Sequence, residues 1–108
     1  WRLPLMPEGG VSKVGVFLQL SGGLSGPDGM ALDQSGGLWV AHAGNGCVWG
    51  FSCTGEPQYR IKSTTGMTTT NLAFGGNENS ELFITESDTG NILRVQIGVH
   101  GRPMHSHL

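Results

Sequence analysis

Few side chains in this 108-residue sequence have the type and spacing for chemistry. His105 and His107 form a His-x-His pair. On a strand both rings would point to one side and could chelate a transition metal. The pair sits in a terminal segment, where chains fray, so this is the weaker reading. Cys47 and Cys53 are too far apart to bridge if they share an extended strand. Six residues at about 3.3 Å each place their Cα atoms roughly 20 Å apart, whereas a disulfide needs about 4.4–6.8 Å. They read as free thiols packed as small hydrophobes, which fits a reducing cytoplasm. Ser21, Ser25 and Ser52 lie in no Gly-x-Ser-x-Gly elbow and have no evident histidine partner, so a serine hydrolase has little support. Asp28, His42, Asn71 and Glu86 remain, and a repeat connects them.

Leu38-Trp39-Val40-Ala41 returns forty-four residues later as Leu82-Phe83-Ile84-Thr85, with Gly46 returning as Gly90 and Val48 as Ile92. Met30-Ala31-Leu32 returns as Leu72-Ala73-Phe74 at an offset of forty-two, and the longer loop 75–81 takes up the difference. A period of about 40–50 residues made of short strands is a propeller signature, and one or two such units cannot bury a full core alone.

The apolar runs are short, β-rich and bounded by Gly, Pro, Ser or Asn, with almost no helical period. Residues 14–20, VGVFLQL, are expected to form one strand. Residues 30–32, 38–42, 48–52 and 58–62 give four more, and 71–74, 81–86 and 92–97 repeat the first three. Residues 103–108 are a weak candidate for a fourth strand in the second unit. Asp33-Gln34-Ser35-Gly36-Gly37, Ala43-Gly44-Asn45-Gly46, Thr54-Gly55-Glu56-Pro57 and Ser87-Asp88-Thr89-Gly90 supply the turn chemistry of meander connections. The expected fold is all-β: a partial β-propeller of four-stranded antiparallel blades, about two to two-and-a-half per chain. Residues 1–25 would be outer strands of a preceding blade, 26–66 one blade, and 67–108 a second blade with a C-terminal tail.

In a propeller the loop entering each innermost strand lies at the channel mouth. Gly26-Pro27-Asp28-Gly29 and Thr68-Thr69-Thr70-Asn71 are those loops, which aims Asp28 and Asn71 at one axial pocket. Pro-Asp-Gly is also a good turn in any protein. His42 and Glu86 follow the second strands at matching offsets. The plain expectation for them is a solvated strand end; the functional one makes them pocket-lining candidates with Asn71. Trp39 and Trp49 read as sheet-packing residues.

Charged residues are 13 % of the chain and the net charge is −2. No basic patch is available to neutralise phosphates, which argues against nucleic-acid binding. No apolar run approaches bilayer-spanning length, so no membrane partner is expected. The N-terminal WRLPLMPEGG lacks the layout of a signal peptide. The sequence opens on Trp1 rather than Met, so an upstream start is expected.

Pro27-Asp28-Gly29-Met30, Gly37-Leu38-Trp39-Val40-Ala41 and Gly46-Cys47-Val48 together resemble the regucalcin/gluconolactonase (senescence-marker-protein-like) family. So do Thr70-Asn71-Leu72-Ala73-Phe74-Gly75-Gly76, Leu82-Phe83-Ile84-Thr85 and Gly90-Asn91-Ile92-Leu93-Arg94-Val95 with Gly98-Val99-His100-Gly101. The resemblance runs over roughly residues 8 to 104 and rests on the order of these motifs. It implies a six-bladed propeller, of which this chain matches the C-terminal two blades and part of a third. It also implies a divalent metal, often calcium, on the channel axis, and hydrolysis of sugar-acid lactones or related esters. Asp28 matches the metal-binding Asp of the family's Pro-Asp-Gly motif and is the candidate catalytic residue, as ligand or general base. The family's Glu and Asn ligands lie in blades with no counterpart here, and Asn71 is not generally a family ligand.

Two functions follow. In the first, the chain is part of a metal-dependent lactonase acting on a small lactone or sugar acid, completed by a longer chain or by copies of itself in a closed ring. In the second, it is a non-catalytic binding or self-assembling scaffold that has lost the catalytic half.

Overall fold

The computed structural model describes residues 1–108. Strands β1 (Pro27–Leu32), β2 (Leu38–His42), β3 (Cys47–Phe51) and β4 (Pro57–Lys62) form one antiparallel sheet in sequential order. Strands β5 (Thr69–Gly75), β6 (Glu81–Glu86) and β7 (Asn91–Gln96) form a second sheet in the same meander. Pro27 opens β1, a position where its missing N–H costs no interior ladder bond.

The repeat reappears as register. Pro27 pairs with His42 and Met30 with Val40, so β1 carries one extra residue between them. Thr69 pairs with Glu86 and Asn71 with Thr85, so β5 carries one extra residue at the corresponding place. Each innermost strand therefore starts with a β-bulge, which bends the strand and re-aims the side chains beside it. Residues 27–29 and 69–71, expected as loops, are the bulged first residues of strands.

The two sheets pack face to face as consecutive blades. Strand alternation puts Trp39, Ala41 and Val48 on the inner face of the first sheet, and Leu72, Leu82 and Ile84 on that of the second; these six form one buried cluster. The Trp39 ring stacks on Tyr59 at 5.1 Å and meets the Phe74 ring edge-on at 5.9 Å. Burying each large aliphatic stabilises the fold by about 1.5–3 kcal/mol. Polar groups stitch the same seam. Gly44 N and Gly46 N both donate to Met67 O, at 2.9 and 2.8 Å. The one proton of the buried Thr69 hydroxyl is shared between His42 O at 3.1 Å and Cys47 O at 2.9 Å.

Two expected strands do not form. Residues 14–20 join no ladder; the N-terminal segment makes only the isolated bridges Arg2–Gly15 and Leu5–Val11. Val14 and Val16, which would share one face of the run, are 52 and 60 % exposed, and Gly15 and Phe17 on the other face are only half-buried, so no strand partner completes a ladder. Residues 103–108 also pair with nothing, and the second sheet has three strands rather than four. Gly101 bridges to Asp33, Pro103 then removes a donor, and His105–His107 closes a 3₁₀ turn. At three residues per turn, residues two apart point in different directions, so the His-x-His pair lacks the one-sided arrangement a strand would give it. No helix is long and apolar enough to cross a membrane.

Candidate functional site

Asp28 lies in the β1 bulge, exposed, and its carboxylate accepts no hydrogen bond from the chain. It is the sole acidic residue on the two innermost strands, β1 and β5. The next residue must be glycine, because a Cβ on Gly29 would lie 2.7 Å from Asn71 Cα. This close approach sets the two bulges against each other and brings Asn71 beside the Asp28 segment. Asn71 Oδ1 accepts the Leu72 N–H at 2.8 Å. Its Nδ2 has no partner in the chain and is free to donate. The start of the inner strands thus presents an open carboxylate and an open amide N–H₂, suited to oxygen-rich ligands.

His42 and Glu86 are not solvated strand ends. Both are 1 % exposed, and each fastens the segment that enters its own blade's innermost strand. Gly22 O is an acceptor only, so His42 Nε2 carries the proton and donates to it at 3.0 Å. His42 Nδ1 is then an acceptor and takes the Trp49 Nε1–H at 3.2 Å. Asn45 Nδ2 approaches the same nitrogen at 3.4 Å. In the second blade Glu86 Oε2 accepts from Gly66 N and from Thr65 Oγ1, each at 3.1 Å. It also accepts from Thr89 N at 3.2 Å and from the Thr89 hydroxyl, while Oε1 accepts from Asp88 N at 2.6 Å. Gly22 and Gly66, His42 and Glu86, and Asn45 and Thr89 are all forty-four residues apart. One architectural device is built from two different chemistries.

The second blade's brace is anionic. The Thr89 hydroxyl, with the N–H groups of Asp88 and Gly66 and the Thr65 hydroxyl, holds the Glu86 carboxyl down at about 2, well below its ordinary value. Glycine at position 66 makes room for it, since a Cβ there would lie 2.6 Å from Glu86 Oε1. Asp88 adds to the hold on this segment: Oδ2 accepts from Met67 N at 2.8 Å and Thr68 N at 3.1 Å, and Oδ1 from Thr68 Oγ1 at 2.7 Å. Every polar side-chain atom of His42 and Glu86 already has a partner in the chain, and both side chains are buried.

A cavity of about 650 Å³ lies between the inner strands and the C-terminal tail. Of the four candidates, only Asn71 lines it; Asp28, His42 and Glu86 do not. No group of three or more His, Cys, Asp or Glu side chains is placed to hold a metal ion. One structurally important carboxylate escaped sequence reasoning. Asp33 is 7 % exposed and accepts from Ser35 N, Gly37 N and the indole Trp39 Nε1 at 2.9, 2.8 and 2.9 Å. The signal was present as Asp33-x-Ser35-x-Gly37-x-Trp39: an acceptor, two nearby backbone donors, and an indole that must find a partner once buried.

A family model described as SMP-30/Gluconolactonase/LRE-like region matches residues 1–88. An uncharacterized protein of Sulfolobus acidocaldarius is 29 % identical over 100 residues, which is 89 % of this chain and 36 % of that protein. Among solved structures, the calcium-binding protein regucalcin from Agrobacterium tumefaciens superposes with a TM-score of 0.76 at 30 % identity, covering 93 % of this chain and 39 % of regucalcin. A luciferin-regenerating enzyme gives a TM-score of 0.60 at 28 % identity, covering 70 % of this chain and 30 % of that enzyme. The chain thus spans well under half the length of the relatives it matches.

Proposed function

The chain belongs to the SMP-30/gluconolactonase/LRE-like family, and from that premise we propose that it supplies two adjacent blades of a divalent-metal-dependent hydrolase of sugar lactones or related esters. The observation that carries the reading is Asp28: an exposed carboxylate with no hydrogen bond from the chain, fixed by a bulge at the start of an innermost strand. Regucalcin's calcium binding makes calcium the metal of choice for this position.

These residues alone do not fit a resident calcium ion. Calcium takes about 6–8 oxygen ligands, and no cluster of three acidic, histidine or cysteine side chains exists in the chain. Asp28 would be one ligand, and the others would come from blades of a longer chain or from further copies. Within this chain, the Asp28 carboxylate can hold or take a proton at its free oxygens. Asn71 Nδ2 can donate to a substrate oxygen beside it. The His42 and Glu86 braces fix the segments that carry both. The free thiols of Cys47 and Cys53 support a reducing, cytoplasmic setting.

A second reading, a non-catalytic binding or self-assembling scaffold, is favoured by the single open carboxylate. Light scattering combined with a lactone-hydrolysis assay, with and without calcium, separates the two. Assembly beyond the monomer with calcium-dependent hydrolysis supports the hydrolase. Assembly without hydrolysis supports the scaffold.

A further inference from the structure

The cavity between β1, β5 and the tail has a character unlike the Asp28 site. Eight of its thirteen lining residues are hydrophobic, and none is Asp or Glu. Its volume of about 650 Å³ falls within the range of roughly 300–1,000 Å³ typical of small-molecule sites. Met30, Leu32, Leu72 and Phe74 from both blades form an apolar wall. The tail supplies the facing side and is held in place by backbone hydrogen bonds. Gln34 N donates to His100 O at 2.9 Å, Gly101 N to Asn79 O at 2.8 Å, and Arg102 N to Leu32 O at 2.9 Å. These bonds anchor Arg102 at the cavity edge.

Arg102 is the one arginine or lysine lining this space, and it has no acidic partner; the only ion pair in the chain joins Arg94 to Glu81. A guanidinium beside an apolar wall, with no carboxylate nearby, matches an anion carried on a hydrocarbon chain. A metal ion finds no anionic ligand here. A sugar acid would set most of its hydroxyls against Met and Leu side chains, with only Asn71, Asn79 and His107 beside Arg102 to pair them. We propose that this cavity binds an apolar monocarboxylate, its carboxylate on Arg102 and its hydrocarbon chain on Met30, Leu32, Leu72 and Phe74. The site needs neither Asp28 nor a metal.

The test is isothermal titration of the full chain, in EDTA, with octanoate, 1-octanol and gluconate. Octanoate is expected to bind saturably, about tenfold more tightly than octanol, and gluconate not at all. Arg102→Gln is expected to weaken octanoate about tenfold and to leave octanol unchanged. Equal affinity for octanoate and octanol, or full octanoate affinity in Arg102→Gln, would overturn the proposal. Should Arg102→Gln fail to fold, Met30→Glu replaces it. Met30 is 67 % exposed and tolerates a polar side chain, and the new carboxylate is expected to abolish octanoate binding. Undiminished binding in that variant would equally overturn it. Because EDTA removes divalent cations, a negative result here leaves the hydrolase reading standing, and the reverse also holds.

Discussion

Thr69→Val cuts the polar seam between the blades while keeping the side chain's shape. Thr69 is 1 % exposed, and its single hydroxyl proton is shared between two carbonyls of the other blade, His42 O and Cys47 O. Valine keeps the branched shape and strand preference, so packing changes little. His42 O retains the Asn45 N–H at 3.2 Å, which limits the damage there. An intramolecular hydrogen bond is worth about 0.5–1.5 kcal/mol net, and a buried acceptor left short costs about 1–3 kcal/mol. The expected loss is therefore about 1–2 kcal/mol. At roughly 4–8 °C per kcal/mol for a domain of this size, the melting temperature should fall by about 4–16 °C. Thr70→Val is the control: its hydroxyl bonds Thr85 on the solvent side, and the change should stay within about 0.5 kcal/mol. Thermal melts followed by far-UV circular dichroism measure both. A Thr69→Val melt at the wild-type temperature, or a wild-type melt in two separate steps, would refute the claim that this seam makes the blades one cooperative unit.

The Glu86 brace gives a pH signature. Its carboxyl is held at about 2 in the fold and titrates near its ordinary value, 4.5, when unfolded. Its contribution is complete above about 4.5 and disappears as the pH falls toward 2. Glu81 acts in the same direction, because the Arg94 guanidinium lowers its carboxyl. Melting temperatures from pH 7 to 2.5 should fall over this window, and Glu86→Gln should flatten the fall; parallel wild-type and variant profiles would contradict the brace. Leu82→Ala, at a fully buried position, should cost about 2.7–5.0 kcal/mol in urea unfolding, and a cost below 1 kcal/mol would mean the blades do not share that core. A thiol reagent should label exposed Cys53 at once and buried Cys47 only on unfolding; equal rates at both would contradict the burial.

The repeat carried most of the fold. Offsets of forty-four and forty-two in the sequence became the same strand order, and the one-residue bulge at the head of β1 and β5 recurs at the corresponding register. Residues 14–20 misled because alternation reports a pattern and not a partner, and no strand lies beside Val14 and Val16 to complete a ladder. His42 and Glu86 misled for a different reason. A polar residue at a strand end is usually solvated, and only the bonds to Gly22 and Gly66 show why these two are buried. The clue was nonetheless in the repeat: each sits twenty residues after a glycine and three before a polar turn residue, Asn45 or Thr89. Asp28 was legible as a position, since Pro-Asp-Gly fixes where the carboxylate sits. Its surroundings were not, because the approach of Asn71 at Gly29 depends on how the two bulges meet across the blades.

The most direct measurement is a calcium titration of the full chain's melting temperature, at a concentration where light scattering shows assembly, for wild type and Asp28→Asn. Asp28 is exposed and accepts no hydrogen bond, so the variant should melt with the wild type in EDTA. Calcium at about a hundred times its Kd should stabilise the wild type by about 2.7 kcal/mol, a rise of several degrees. Asp28→Asn should show no rise. An equal rise in both proteins, or none in the assembled wild type, would contradict Asp28 as a metal ligand.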